Sequence, residues 1–247
     1  GTHFKLPEYR KKYEYLTKFR IGPLNFGEYD GQKVFDYEEA GVGTKDLSFD
    51  DYLFIRGLFL FVETLYNGKP FNEFFKYAKF YNIQPATLLQ ILYDNLSEAP
   101  KDVQSIVNEF LDETKSELWD TEEELLNFYN KEENFNKLKR GEVGGNLIYK
   151  YKSKSLLTAS SSLISFLENQ VLKEVISKQK GIKSIEVIRS EVKEIANFCS
   201  LKINALLDGN ADTKPVSRKF DYDILNWLEG ENNKRVSDYR FKNNEKI

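Results

Sequence analysis

The stretch from Ser48 to Asn67, SFDDYLFIRGLFLFVETLYN, is the feature that most constrains this chain. Ser48 and Asp51 form an S-x-x-D capping box, whose hydroxyl and carboxylate bind backbone donors that the first turn of a helix leaves unpaired. Asn67-Gly68 supplies a stop signal. Between these ends, large apolar residues point in every direction around the 3.6-residue helical period. The pattern therefore predicts one helix, buried on all sides, in the middle of the fold.

Two charges interrupt this helix. Arg56 and Glu63 are seven residues apart and so lie on one face, and Gly57 lets another backbone approach beside Arg56. Because unpaired buried charge is costly, we expect both side chains to join a structural network of ion pairs. The alternative is that Arg56 binds an anionic ligand.

Composition limits the partners and the compartment. The 247 residues are 40% hydrophobic and 30% charged, with a net charge of -3, so no strong field attracts nucleic acid or an anionic membrane, and we expect neither. The single cysteine excludes an internal disulfide and a cysteine-only metal site. No signal peptide opens the sequence, and the apolar run 58–62 is too short to span a bilayer, so we expect a cytoplasmic location. The sequence contains no methionine, even at position 1, so we expect either that its start was removed together with a tag or that the chain is the later part of a longer product.

The first segments mix helix and strand signals. Residues 4–20 predict a short basic helix or turn that includes Leu16, with His3 as an ordinary surface residue. Asp30-Gly31, between FGEY and QKVFDY, predicts a small β-hairpin. On its second strand Glu38 and Glu39 point to opposite faces, which makes them poor candidates for a shared acid/base site.

Helices follow one another after the central stretch. Pro70, Pro85 and Ala99-Pro100 open three of them, the last running to Trp119, and Thr121 caps a further one. Residues 130–140 form a short, highly charged segment. The short joints predict antiparallel or angular neighbours.

A glycine-rich stretch, RGEVGGN, spans residues 140–146. Glycine permits a concave row of backbone N–H groups that could hold an anion, but the motif of a phosphate-binding loop is absent. We interpret the stretch as a flexible joint, with a binding nest as the alternative. The polar or glycine residues that would suit such a pocket are Glu142, Gly144, Gly145, Asn146 and Lys150.

Two long helices and a tail complete the chain. The first covers 154–178 and ends at Gly181, and the second runs from Ser184 to Asp208-Gly209, so we expect an antiparallel hairpin. Cys199 lies on the apolar stripe of the second helix, which predicts an inert core thiol.

The tail begins with a polar linker at 210–215 and ends in a frayed NNEKI. Between them we expect Asp221 to cap a short helix, YDILNWL, whose Trp227 docks onto the body.

The fold class predicted from these patterns is mainly α, a multi-helical bundle with orthogonal and antiparallel packing and a small β-hairpin near the N-terminus. We divide it into four segments. They are an N-terminal connecting segment with the hairpin (1–46), a helical subdomain (47–140), the glycine-rich joint with the helical hairpin (141–209), and a tail with its docking helix (210–247).

Several stretches together resemble one known family: GTHFKLPEYRKKYEYLTKFR, FGEYDGQKVFDYEEAGV, LSFDDYLFIRGLFLFVETLYN, ELWDTEEELLNFY, GEVGGNLIYKYK and FDYDILNWLEG. They are similar to the region after the catalytic barrel in radical S-adenosylmethionine proteins that carry an N-terminal cobalamin-binding domain. The resemblance covers nearly the whole chain. It implies a parent protein with a [4Fe–4S] cluster, S-adenosylmethionine and cobalamin, and substrates in that family are diverse.

The residues that hold those cofactors in the family have no counterparts in this chain. The family's C-x-x-x-C-x-x-C needs three cysteines, whereas this sequence has only Cys199, and the family's D-x-H-x-x-G pattern is absent. The resemblance therefore implies a C-terminal accessory region with no cofactor, metal or catalytic residues of its own, packed on an upstream barrel of the same polypeptide.

Two other interpretations stay open. The first is a self-contained helical protein-interaction module without enzymatic activity and without an exposed apolar patch. The second is a stand-alone enzyme that uses acidic residues such as Asp30, Glu38 and Glu142, which is disfavoured because no two of them fall on one predictable face.

Overall fold

The computed structural model of the chain describes residues 3–178, 184–207, 219–230 and 234–241. Within these ranges the protein is mainly α-helical with a single two-stranded antiparallel sheet, which confirms the predicted fold class. The predicted helix ends at Gly181 and Asp208-Gly209, the linker 210–215 and the tail NNEKI lie outside the described residues.

The strands are β1 (Leu16–Tyr29) and β2 (Gln32–Gly43). The helices of the described ranges are α1 (Pro7–Tyr13), α2 (Phe49–Phe61), α3 (Asn72–Phe80), α4 (Pro85–Asp94), α5 (Lys101–Ser116), α6 (Glu122–Tyr129), α7 (Glu132–Lys139), α8 (Leu147–Lys178), α9 (Ile185–Leu207) and α10 (Ile224–Glu229). Short 3₁₀ turns occur at His3–Lys5, Leu96–Glu98 and Val236–Tyr239.

The backbone divides into two compact units, each built from separate parts of the chain. The first comprises Gly1–Phe59 and Val107–Tyr151, and the second comprises Leu60–Ile106 and Lys152–Ile247. This division differs from the four contiguous segments drawn from the sequence.

The first unit is organised around the hairpin. Asp30 and Gly31 have φ values of 49° and 76° and place Tyr29 opposite Gln32, as the turn signal predicts. The strands are longer than predicted. Leu16 begins β1, so the prediction that it belongs to a short basic helix or turn was wrong. One face of the hairpin packs on α6 and α7 around a core of Ile21, Leu125, Tyr129, Phe135 and Leu138.

The second unit has an aromatic core on α3. Phe74 and Tyr77 are almost fully buried, and α9 packs on α3 through a stripe that includes Ile195 and Cys199. Trp227 is 1% exposed, which confirms that α10 docks its tryptophan. The Lys76 ammonium fixes this docking by donating to the carbonyls of Trp227 and Leu228, each at 2.7 Å. The prediction that Asp221 caps this helix was wrong, because the side chain of Asp223 accepts a hydrogen bond from the backbone N–H of Asn226.

Helix α2 departs from the central prediction. Its capping box is confirmed, with Asp51 N to Ser48 Oγ at 3.1 Å and Ser48 N to Asp51 Oδ2 at 2.9 Å. The α-helix ends at Phe61 and continues as a π-helical turn, Val62–Tyr66. The prediction that this helix is buried on all sides was wrong, because Ile55 and Phe59 are 49% and 44% exposed.

Two further boundaries differ from the predictions. α5 ends at Ser116, because Trp119 leaves the helix to form a β-bridge with Phe19. α8 begins at Leu147 and bends at Ala159, whose φ of -131° is not helical. Glu168 of α8 and Lys193 of α9 form an ion pair at 3.4 Å. This contact joins the last part of α8 to the first part of α9, as expected for the predicted antiparallel hairpin.

Candidate functional site

Charged and polar side chains of α2, β1 and the end of α5 come together in the first unit. Arg56 of α2 places its guanidinium carbon 5.4 Å from the centre of the Phe110 ring on α5. Arg20 of β1 reaches Glu117, which immediately follows α5. The Arg20–Glu117 contact joins residues that are 97 positions apart in the sequence.

Arg20 bridges two carboxylates. Its Nη1 lies 3.1 Å from Glu117 Oε1, and its Nη2 lies 2.5 Å from Glu38 Oε1. Charge-assisted pairs of this kind are the strong class of hydrogen bond. Glu38, weighed above as an acid of a stand-alone enzyme, is therefore engaged in an ion pair across the hairpin, and Asp30 lies in its turn.

Burial raises the pKa of Glu117, because the low-dielectric surroundings disfavour its charged form more than Arg20 and Arg56 favour it, while Glu113 opposes it further. The folded pKa exceeds the unfolded one, so the unfolded state loses the proton first. We therefore expect Glu117 to contribute stability at low pH that is lost as pH rises through the window between the two values. The difference in unfolding free energy between wild type and Glu117→Gln, measured by urea denaturation at several pH values, should reveal this slope.

Glu39 provides the control for that experiment. Arg10, at 2.6 Å, holds the pKa of the Glu39 carboxyl below its usual range. The difference in unfolding free energy between wild type and Glu39→Gln should change with pH in the opposite direction, because this stability is lost as pH falls through the depressed pKa of Glu39. Equal slopes for the two variants would contradict the assignment of Glu117.

Arg56 is the unusual member of this group. Its Nε is buried and finds no hydrogen-bond partner, and no ion pair joins it to any residue in the described part of the chain. One turn beyond Phe110, Thr114 is fully buried and its Oγ1 also lacks a partner among those residues. Each buried polar group left without a partner costs about 1–3 kcal/mol. Tyr52, one turn before Arg56, is partly buried, and desolvation raises its pKa.

The two charges singled out on the central helix have different environments. Glu63 accepts from Asn67 Nδ2 at 2.6 Å and from Lys152 Nζ at 3.3 Å, so the predicted ion pair is confirmed for it. For Arg56 no direct ion pair is found within the described ranges, where its guanidinium lies on an aromatic ring and its charge acts on Glu117.

The glycine-rich stretch is occupied by local contacts. Glu142 pairs with Arg140 at 2.5 Å, Asn146 Oδ1 accepts from the backbone of Tyr149 in the first turn of α8, and Lys150 binds Glu113 at 2.6 Å. The carbonyl of Gly144 accepts from the backbone N–H of Leu24 at 3.2 Å. These contacts tie the stretch to the hairpin and to α5, and Lys150 joins it to the polar cluster through Glu113.

Gly144 and Gly145 form a matched pair for a stability test. Gly144 has a φ of 72°, and a Cβ there would lie 2.5 Å from Leu138 Cδ2, whereas a Cβ on Gly145 would meet nothing within 4 Å. We expect Gly144→Ala to lower the free energy of unfolding by about 1–3 kcal/mol, through backbone strain and the clash. Gly145→Ala should change it by less than about 0.5 kcal/mol. Urea denaturation of both variants tests this, and equal stabilities would contradict it.

In the second unit the predicted core thiol is confirmed. Cys199 is fully buried, and its Sγ lies 3.2 Å from Glu73 Oε2. Lys202 holds the same carboxylate at 2.6 Å. Burial raises the pKa of the Cys199 thiol, which therefore remains protonated and unreactive.

An open depression of about 480 Å³ lies at the end of α5, lined by Trp119 and Phe128 with polar neighbours that include Asn127 and Lys131. The two rings have centroids 4.7 Å apart. Asp120 on its rim pairs with Lys18. This surface presents an aromatic pair and no cluster of catalytic groups.

Arg20, Thr114 and Glu117 were not predicted from the sequence. A signal for two of them was present, since Thr114 and Glu117 continue, four and seven residues on, the buried helical face that carries Phe110. Polar residues on an apolar stripe indicate a buried polar contact. Arg20 carried no such signal, because its partner lies far along the chain.

A search against protein-family models found no match, and no curated protein matched the sequence. No group of three or more His, Cys, Asp or Glu side chains within the described ranges is placed to hold a metal ion. Among the described helices, none is both long and apolar enough to cross a membrane.

Proposed function

We propose that this chain is the C-terminal accessory region of a radical S-adenosylmethionine protein of the cobalamin-binding type. In this proposal it packs on the upstream catalytic barrel of the same polypeptide, helps to shape the substrate cavity there, and has no catalytic activity alone. The sequence resemblance motivates the proposal, and one structural observation supports it.

That observation is the α2 apolar face, which consists of Phe54, Ile55 and Phe59. These side chains are between 42% and 49% exposed, although they belong to a strongly apolar helix. Contiguous exposed apolar surface marks sites of protein interaction. A face of this kind is expected on an accessory region that packs on another domain, and the self-contained module was expected to lack it.

The distribution of possible cluster ligands is consistent with the same role. A [4Fe–4S] cluster of this family needs three cysteine thiolates, and the only cysteine here is Cys199, which is buried against Glu73. The residues of this chain therefore do not fit a resident cluster. Under the proposal the cluster belongs to the barrel.

The test is association with the upstream part of the native reading frame, produced as a separate protein. We expect the two proteins to bind. Ile55→Asp and Phe59→Asp should each raise the dissociation constant at least about tenfold, because burying one large apolar side chain contributes about 1.5–3 kcal/mol. Isothermal titration calorimetry gives these constants.

Leu225→Asp is the matched control, since Leu225 is 62% exposed but lies on α10, away from the α2 apolar face in sequence. It should leave the affinity unchanged. Absence of binding by a monodisperse wild-type chain would refute the proposal and favour the self-contained interaction module. Equal effects of all three substitutions would show that the α2 apolar face is not the contact.

A further inference from the structure

The open depression of about 480 Å³ at the end of α5 lies wholly within the first unit. All the residues that line it fall between positions 118 and 131, in the turn after α5, in α6 and just beyond α6. Sites for small ligands have volumes of this order and combine an apolar wall with a few polar groups. The depression therefore has room for one small molecule and a lining of mixed character.

Trp119 and Phe128 form the aromatic wall of the depression. Two backbone hydrogen bonds with Phe19, each 2.8 Å long, hold Trp119 in place, and its ring centroid lies 4.7 Å from that of Phe128 at an interplanar angle of 40°. Trp119 is partly exposed but its Nε1 is buried, so the part of the indole that meets solvent is carbon. Because the two rings contact each other, they form a one-sided apolar platform and not a slot that would enclose a flat aromatic ligand.

Three exposed polar side chains line the same depression. The Asn127 amide donates and accepts hydrogen bonds, the Glu124 carboxylate accepts them, and the Lys131 ammonium donates them. Glu124 is held at the start of α6, where its Oε2 accepts from the backbone N–H of Thr121 at 3.2 Å. Within the described ranges no hydrogen bond or ion pair engages the side chain of Asn127 or Lys131. These groups are therefore available to a ligand.

The charges around the depression favour a neutral ligand. Asp120 on the rim pairs with Lys18, and Glu124 and Lys131 carry opposite charges. A cation is repelled by Lys131 and an anion by Glu124, whereas a neutral polar molecule uses both side chains as hydrogen-bond partners.

We propose that this depression is a binding site for a neutral saccharide, one pyranose ring of which lies on Trp119 and Phe128. A pyranose has a face of C–H groups that suits an aromatic platform, and hydroxyls that both donate and accept, as Asn127, Glu124 and Lys131 require. The inference goes beyond the accessory role proposed above, since it concerns a ligand of this chain itself and holds whether or not a barrel lies upstream.

The test uses the full chain labelled with ¹⁵N-tryptophan, which gives two indole N–H signals because the sequence has two tryptophans. The Trp119 signal is assigned by its loss in Trp119→Phe. Methyl β-D-glucopyranoside, methyl β-D-galactopyranoside and N-acetyl-D-glucosamine are titrated separately, followed by choline chloride and sodium acetate at constant ionic strength. We expect a saturable shift of the Trp119 signal with at least one of the sugars, with a dissociation constant on the order of 1 mM.

Substitutions at the depression separate its two parts. Asn127→Ala should raise the sugar dissociation constant about 2- to 10-fold through a lost hydrogen bond. Phe128→Leu, which keeps apolar bulk but removes the ring, should raise it by a similar factor of about 2–10. Asn108→Ala is the matched control, because Asn108 is also an exposed helical asparagine of the first unit but does not line the depression, and it should leave the constant unchanged.

Trp227, 1% exposed in the second unit, is the internal control and should not shift. The absence of a saturable Trp119 shift with all three sugars, or equal responses of the two indoles, would overturn the site. Choline or acetate binding as tightly as the best sugar would overturn the assignment to a neutral ligand. Because the experiment uses no upstream protein, its failure is distinguishable from failure of the accessory role.

Discussion

Replacing Phe110 with alanine should lower the free energy of unfolding by about 3–5 kcal/mol. Phe110 is completely buried, packs edge-on against the Tyr151 ring at 5.6 Å, and supports the guanidinium of Arg56. Its removal costs both transfer free energy and a cavity that the surrounding helices fill only in part. In a chain of 247 residues this corresponds to a fall in melting temperature of roughly 10 °C.

Urea denaturation followed by tryptophan fluorescence measures this effect, since Trp119 belongs to the same unit as Phe110. Leu225→Ala is the control for the loss of a large apolar side chain, because Leu225 is 62% exposed, and it should change stability by less than about 0.5 kcal/mol. A Phe110→Ala protein as stable as Leu225→Ala would show that α5 is not packed as described.

The second large effect concerns Glu191 in the second unit. This residue is fully buried, and its carboxylate accepts from the Tyr77 hydroxyl at 2.8 Å and from the Ser237 backbone N–H at 3.1 Å. Glu191→Ala removes this acceptor from the buried Tyr77 hydroxyl and from the partly buried Ser237 N–H, and should lower the free energy of unfolding by about 3 kcal/mol. Glu191→Gln keeps an acceptor oxygen and should cost less.

The exposed Glu229 supplies the control for charge removal, and Glu229→Ala should be close to neutral. A double-mutant cycle between Tyr77→Phe and Glu191→Gln isolates the hydrogen bond, for which we expect a coupling of about 1 kcal/mol. Additivity of the two substitutions would contradict a direct bond between these side chains.

Features decided by neighbouring residues could be predicted from the sequence. The Ser48–Asp51 box, the Asp30-Gly31 turn and the Thr121 cap all appear where the sequence signals them. In each case the chemistry involves groups within three residues of one another, so distant packing does not alter it.

Features decided by distant residues could not be predicted. Trp119 leaves its helical pattern because the backbone of Phe19, 100 positions earlier, offers two hydrogen bonds at 2.8 Å. The apolar sequence of α2 predicts burial on every side. Whether each face is covered depends on which distant residues pack against it, and Ile55 and Phe59 are left exposed.

The candidate site shows the same limit. Arg56 was recognisable as a charge on an apolar helix, but its missing acid was not, because Glu117 is held by Arg20 from a strand whose register the sequence did not reveal. Among the glycine-rich candidates, only Lys150 proved to reach this cluster, through Glu113.

The central claim is that this chain is the accessory region of a radical S-adenosylmethionine protein, and the sequence of the native reading frame upstream of the Gly1 codon tests it most directly. The account predicts a barrel-length upstream region that contains C-x-x-x-C-x-x-C. A start codon immediately before Gly1, or an upstream region without that motif, would contradict it and leave the helical interaction module as the better explanation.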